Sequence, residues 1–207
     1  MHNSIAIIDN CYRYDTEHIN LNDIENISLG GSETWTINTA NIFSNLNFNV
    51  FIICNCSYEY TTNNITWKNI NDIERISYIN KFDFVIITRN VNKRIIDLLY
   101  KNHTTNSIYI QVHDMWIYDT DIPDSMYDIN VIKNISTYFD YNIVKGIICA
   151  SNILAESVHL HNNIPKDKIY IIPLSIYNTE RFYTIRPDKE TDHNILFSSA
   201  AERGLIL

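Results

Sequence analysis

The chain of 207 residues has only four glycines and four prolines. That scarcity excludes collagen-like, repeat and low-complexity disordered classes, which are rich in both. Cysteine is equally sparse, at Cys11, Cys54, Cys56 and Cys149. Cys54 and Cys56 lie two apart and would point to the same side of a strand, but no second pair stands at zinc spacing. The four thiols fit core or strand-end positions in a reducing compartment, and no metal is expected. Basic residues neither dominate nor cluster: 16 Lys and Arg face 24 Asp and Glu, for a formal charge of −8 and a pI near 5.3. A nucleic-acid binder needs a concentrated basic face to neutralise phosphates, so nucleic acid is not an expected partner. Long apolar runs are missing as well. A spanning helix needs about eighteen or more predominantly apolar residues in succession. Met1–Cys11 has neither the basic segment nor the apolar stretch of a secretory signal. The expected location is the cytoplasm, where Asn-x-Ser/Thr triplets such as Asn26-Ile27-Ser28 carry no meaning as glycosylation sites.

What the chain has in abundance is isoleucine and asparagine, together roughly a third of all residues. Both have AT-rich codons, so the asparagine patches near Asn45, Asn63 and Asn162 read as coding drift on surface positions. Hydrophobic residues make up 45% of the chain, enough to bury a core within one domain and an appendage.

Short β-rich apolar runs alternate with amphipathic stretches, the pattern of a parallel sheet covered by helices. The expected fold class is α/β, a Rossmann-like parallel sheet with helices on both faces. Strands are predicted at Ser4–Asp9, Asn49–Cys54, Phe82–Thr88, Ser107–Val112, Val144–Cys149 and Lys168–Pro173. A helix opening at Gly30-Gly31-Ser32 should turn Trp35, Thr39, Ile42 and Leu46 to one face, and another should bury Val91, Ile95, Leu98 and Leu99. Val131 to Phe139 suggests a further helix, and Ser151 can cap one carrying Leu154 and Val158. Residues 56–80 are ambiguous, with a possible short strand at Ile65-Thr66-Trp67. Residues 1–176 are thus read as one domain and 177–193 as a polar linker. Residues 194–207, with a strand at Asn194–Ser198, are read as the start of an incomplete second domain.

Ligands of open parallel sheets bind beyond the carboxyl ends of the strands, and two such ends stand out. Gly30-Gly31-Ser32-Glu33 enters a helix, where glycine permits close backbone approach and free N–H groups attract an anion; the same residues also suit a tight turn. It is not a dinucleotide fingerprint, since G-x-G-x-x-G is missing after the first strand. His113-Asp114 closes the fourth strand, where a histidine oriented by a carboxylate can serve a sugar hydroxyl, or simply form a loop. His159 and His161, two apart on one helix, cannot face one metal, and no G-x-S-x-G elbow supports a hydrolase.

These motifs occur in an order that resembles the GT-B glycosyltransferases of the large retaining family. The set is Leu29-Gly30-Gly31-Ser32-Glu33, Val112-His113-Asp114, Ala150-Ser151, Ile164-Pro165-Lys166-Asp167-Lys168-Ile169 with Ile172-Pro173, and Phe197 through Leu205. The resemblance implies a two-domain fold holding a nucleotide-sugar donor in its cleft, with an acceptor still to be identified and no resident cofactor or metal. It implies that Gly30, Gly31, Ser32 and Glu33 approach the donor diphosphate or the acceptor. It also places His113, flanked by Asp114, on the transferring sugar as the catalytic residue, and Arg203 on the diphosphate. The chain departs from the family at the hinge, which reads Ile172-Pro173-Leu174-Ser175-Ile176-Tyr177, and at the partner arginine, where Ser198 stands nearest. The family's second domain and its E-x7-E motif are not found before Leu207. The resulting expectation is a glycosyltransferase half that works with a separately encoded C-terminal half or as a homodimer and is inactive alone. The alternatives are a truncated, non-catalytic module that binds a ligand or protein, and an unrelated Rossmann-like nucleotide-binding protein.

Overall fold

The computed structural model describes residues 3–9, 31–56, 59–88, 91, 93–113, 139 and 142–173. The chain divides into two compact units, Met1–Ser175 and Ile176–Leu207. The second unit lies outside the described residues, as do the expected linker, the strand at Asn194–Ser198 and the helix from Val131.

Eight strands form one sheet: β1 (Ser4–Asp9), β2 (Asn49–Cys54), β3 (Tyr60–Thr62), β4 (Ile65–Asn69), β5 (Phe84–Thr88), β6 (Ile108–Val112), β7 (Val144–Cys149) and β8 (Ile169–Ile171). Their order is β3-β4-β2-β1-β5-β6-β7-β8. Every neighbouring pair is parallel except the antiparallel β3–β4 hairpin. The expected α/β parallel sheet is therefore present. The central strands are near-continuous runs of isoleucine and valine because both of their faces are covered. Ile5, Ile7, Ile8, Ile52, Ile53, Val85 and Ile87 have no exposed surface.

Two helix layers sandwich the sheet. Helix α1 (Gly31–Asn45) packs Ile37 and Ala40 against Ile7, Val50, Ile52, Cys54 and Trp67 on one face. Helices α2 (Ile73–Ile79), α3 (Lys93–Lys101) and α4 (Asn152–Asn162) pack on the other, where Ile76, Ile96, Leu99, Leu154 and Val158 join Ala6, Ile8, Ile87, Ile110 and Ile147. Ser151 caps α4 by accepting from Leu154 N at 3.2 Å, as expected from its sequence position, which stabilises the helix by about 1 kcal/mol. The chain first winds outward from β1 through α1 to β2 and β4, then returns to lay β5 to β8 on the other side of β1. The direction of winding reverses between β1 and β5. In open α/β sheets that reversal opens a crevice at the strand carboxyl ends.

One expectation is corrected and two are extended. The buried face of α1 is not Trp35, Thr39, Ile42 and Leu46. It is Ser32, Glu33, Thr36, Ile37, Asn38, Ala40 and Ser44, while Ile42 and Leu46 are exposed. Small side chains let the helix lie close on the flat apolar row of β1 and β2, and the bulkier residues are left at its flank and outside. Within residues 56–80 the short strand at Ile65-Thr66-Trp67 is present as part of β4, joined by β3, a 3-10 turn at Ile70–Asp72 and α2. Several asparagines also have a structural role. Asn47, Asn63, Asn64, Asn142 and Asn163 have φ between 48° and 64°, the left-handed region that asparagine enters most readily after glycine.

Candidate functional site

Three central strands end an apolar run in a polar residue: β1 at Asp9, β5 at Thr88, and β6 one residue short of its end at Gln111. The register aligns them in one row, Cys54–Asp9–Thr88–Gln111–Ile148 across β2, β1, β5, β6 and β7. Residues paired in this way share a face of the sheet. Thr36 of α1 fixes which face, because its hydroxyl donates to Asp9 Oδ2 at 2.9 Å. The row therefore lies on the α1 side at the point where the winding reverses. Asp9, Thr88 and Gln111 are fully buried.

Above the row sits the first turn of α1. Ser32 and Glu33 are both buried there, and the Ser32 hydroxyl donates to Glu33 Oε2 at 3.0 Å. A carboxylate in the first helical turn is favoured by the partial positive charge of the helix N-terminus. A Cβ built on Gly31 would meet no atom within 4 Å, so crowding does not demand glycine there. His113 follows the end of β6, two residues beyond Gln111, and its ring meets Trp35 of α1 edge-on, with centroids 5.4 Å apart and planes at 77°. Two motifs about eighty residues apart in sequence thus converge: the helix opened by Gly31-Ser32-Glu33 and the strand closed by His113. Gly30, Asp114 and Arg203 lie outside the described residues.

A dithiol borders the row. Cys54 is aligned with Asp9, and Cys56 lies just past the strand, its N–H donating to the Cys54 carbonyl at 2.9 Å. Asn69 Nδ2 donates to the Cys56 carbonyl at 2.6 Å and pins the turn. Hydrogen bonding between the thiols splits their acidity. It holds Cys54 protonated, with burial and the Asp9 carboxylate acting in the same direction. The same bond lowers the pKa of Cys56. Among the described residues no group of three or more His, Cys, Asp or Glu could hold a metal ion. No helix among them is long and apolar enough to cross a membrane.

No protein-family model matches this chain, and comparison with curated proteins finds no match. The functional reading therefore rests on the residues themselves. The sequence pattern pointed to none of Asp9, Thr36, Thr88 and Gln111 as site residues, and to Trp35 only as a member of one face of α1. The signal that could have found three of them is simple: a buried apolar strand of an open sheet that closes on a residue able to hydrogen-bond.

Proposed function

We propose that this chain is the Rossmann-like domain of a GT-B-type retaining glycosyltransferase, using its rim to position a sugar during transfer from a nucleotide-sugar. The observation that carries the reading is the meeting of His113 with Trp35 on the helix opened by Gly31, Ser32 and Glu33. Aromatic faces and a histidine edge suit a sugar, which offers apolar C–H patches and hydroxyls together. The buried Asp9 and Glu33 carboxylates favour hydrogen-bond donors over phosphate. Stabilising the leaving diphosphate requires positive charge or backbone donors. In the proposed enzyme that work falls to a second domain facing this rim, contributed by further sequence, a separately encoded chain or a second copy. Gly30 is the proposed contact to the diphosphate from this rim, and Asp114 the proposed orienter of His113.

Saturation-transfer NMR with millimolar uridine, guanosine and adenosine diphosphate sugars tests the proposal. At least one donor should bind, with the sugar protons nearest the protein, and His113→Ala should weaken it about tenfold, a loss of about 1.4 kcal/mol. The melting temperature should stay nearly unchanged. Absence of binding by every donor, or a His113→Ala variant that melts several degrees lower and binds as before, would overturn it.

A further inference from the structure

Two oxygens in the row beneath the rim have no hydrogen-bond partner among the described residues: Thr88 Oγ1 and Gln111 Oε1. Both residues are fully buried, and they are directly paired across β5 and β6. Native proteins rarely leave a buried polar atom unpaired, because its lost hydration is not repaid. Two such atoms side by side, at the carboxyl ends of β5 and β6 next to the reversal between β1 and β5, are unlike scattered core defects. The Gln111 amide is oriented by its own neighbourhood. Its Nε2 donates to the Val112 carbonyl at 3.4 Å, so the amide oxygen is the atom left over. One strand further along the row lies the Asp9 carboxylate, engaged by Thr36.

We infer that Thr88 and Gln111 form the floor of a hydroxyl-binding subsite, receiving a ring hydroxyl of a sugar or ribose between β5 and β6. The row's chemistry selects the class of ligand. Gln111 Oε1 only accepts, the Thr88 hydroxyl can accept or donate, and the Asp9 carboxylate, held by Thr36, adds its acidic character beside them. Such a surface complements a neutral group rich in O–H donors and repels phosphate. Adjacent strands lie about 4.8 Å apart, so one bound ring can span both residues. The subsite deepens the proposed site and rests on that reading for its place in a sugar-handling cleft. It requires only that a hydroxyl-bearing ring bind, not that group transfer occur.

Thr88→Val and Gln111→Met remove the oxygens while nearly keeping side-chain volume, so the two roles an oxygen could have predict opposite results. If the oxygens are kept for a ligand, the ligand-free variants melt at the same temperature as the parent or higher, since an unpaid polar burial is gone. Binding of methyl glucosides or uridine, followed by saturation-transfer NMR, then falls about tenfold in each variant, and any pyrophosphate binding is unchanged. A fall of several degrees in the melting temperature of both variants would mean that an internal water or protein group uses these oxygens, and would overturn the inference. So would unchanged glycoside and uridine binding, or the failure of both probes to bind the parent protein. The two proposals fail separately. Nucleotide-sugar binding that depends on His113 but ignores Thr88 and Gln111 removes the subsite alone. Glycoside or uridine binding that needs Thr88 and Gln111, without any nucleotide-sugar binding, removes the glycosyltransferase reading alone.

Discussion

Asparagine takes over in this chain a role that glycine usually fills. Thr62, Asn63, Asn64 and Ile65 make the β3–β4 turn, with φ of 48° and 60° at the two central asparagines. Positive φ at both positions is the two-residue hairpin turn whose twist matches the strands. Replacing Asn63 or Asn64 by alanine should cost about 1 kcal/mol, because a Cβ without a local hydrogen-bonding group is disfavoured there. Glycine should be tolerated at either position, and urea titration of the variants checks both. Gly146 is required for a different reason. A Cβ on it would collide with the Tyr170 ring, 2.8 Å from Cδ2, and lie 2.9 Å from the Lys168 carbonyl oxygen. The Tyr170 ring in turn meets Tyr109 edge-on at 6.1 Å. Gly146→Ala should therefore cost about 1–3 kcal/mol by overpacking. Adding Tyr170→Ala should recover part of the loss, and no recovery in the double variant would place the strain at the Lys168 backbone.

Among the elements, α1 is the one whose orientation the apolar pattern misreports. Its buried side is polar at the N-terminal end and small toward the C-terminal end, from Glu33 and Thr36 to Ala40 and Ser44. The helix is thus held both by packing and by hydrogen bonds, Thr36 to Asp9 at one end and Ser44 to the Asn63 carbonyl at the other. Ile42→Gln and Leu46→Gln should each change stability by no more than about 0.5 kcal/mol, as for surface substitutions generally. Ala40→Leu should cost about 1–3 kcal/mol, because Ala40 is fully buried against the sheet. Thermal melts of the three variants decide the matter. The reverse ranking would restore Ile42 and Leu46 to the core. By contrast, α3 was legible in sequence, since Ile95 and Leu99 fall on its buried stripe, and the structure adds Ile96.

For the whole molecule, buried acids set the alkaline limit. Burial pushes the Cys149 thiol up to about 11 from 9.0, and Tyr60 is raised chiefly by burial. Cys54 is raised by its bond to Cys56 and by burial. Each raised pKa means that, above its ordinary value, the folded chain holds a proton that the unfolded chain has released. Stability must then fall with rising pH. The contribution of Cys149 is fully present below about pH 9 and is lost as the pH rises through about 11. Urea unfolding at pH 8, 9.5 and 10.5 should show a progressive loss, and Cys149→Ala should make that slope shallower. An equally steep slope in the variant would assign the loss to Cys54 and Tyr60.

The α/β class, six of the strands to within about two residues at each end and the Ser151 cap were all determined by the sequence alone. Continuous isoleucine runs have no stable place except a sheet covered on both sides, and a serine before a helix satisfies its free N–H groups wherever the helix packs. His113 and the Gly31 helix could also be assigned to strand carboxyl ends from their place after apolar runs. Only the tertiary structure decided that they meet. It also decided that α1 turns its polar and small side inward, and that Asp9, Thr88 and Gln111 line up in one row. Strand order and register come from pairings between segments tens of residues apart, so no local pattern along the chain encodes which strand ends become neighbours.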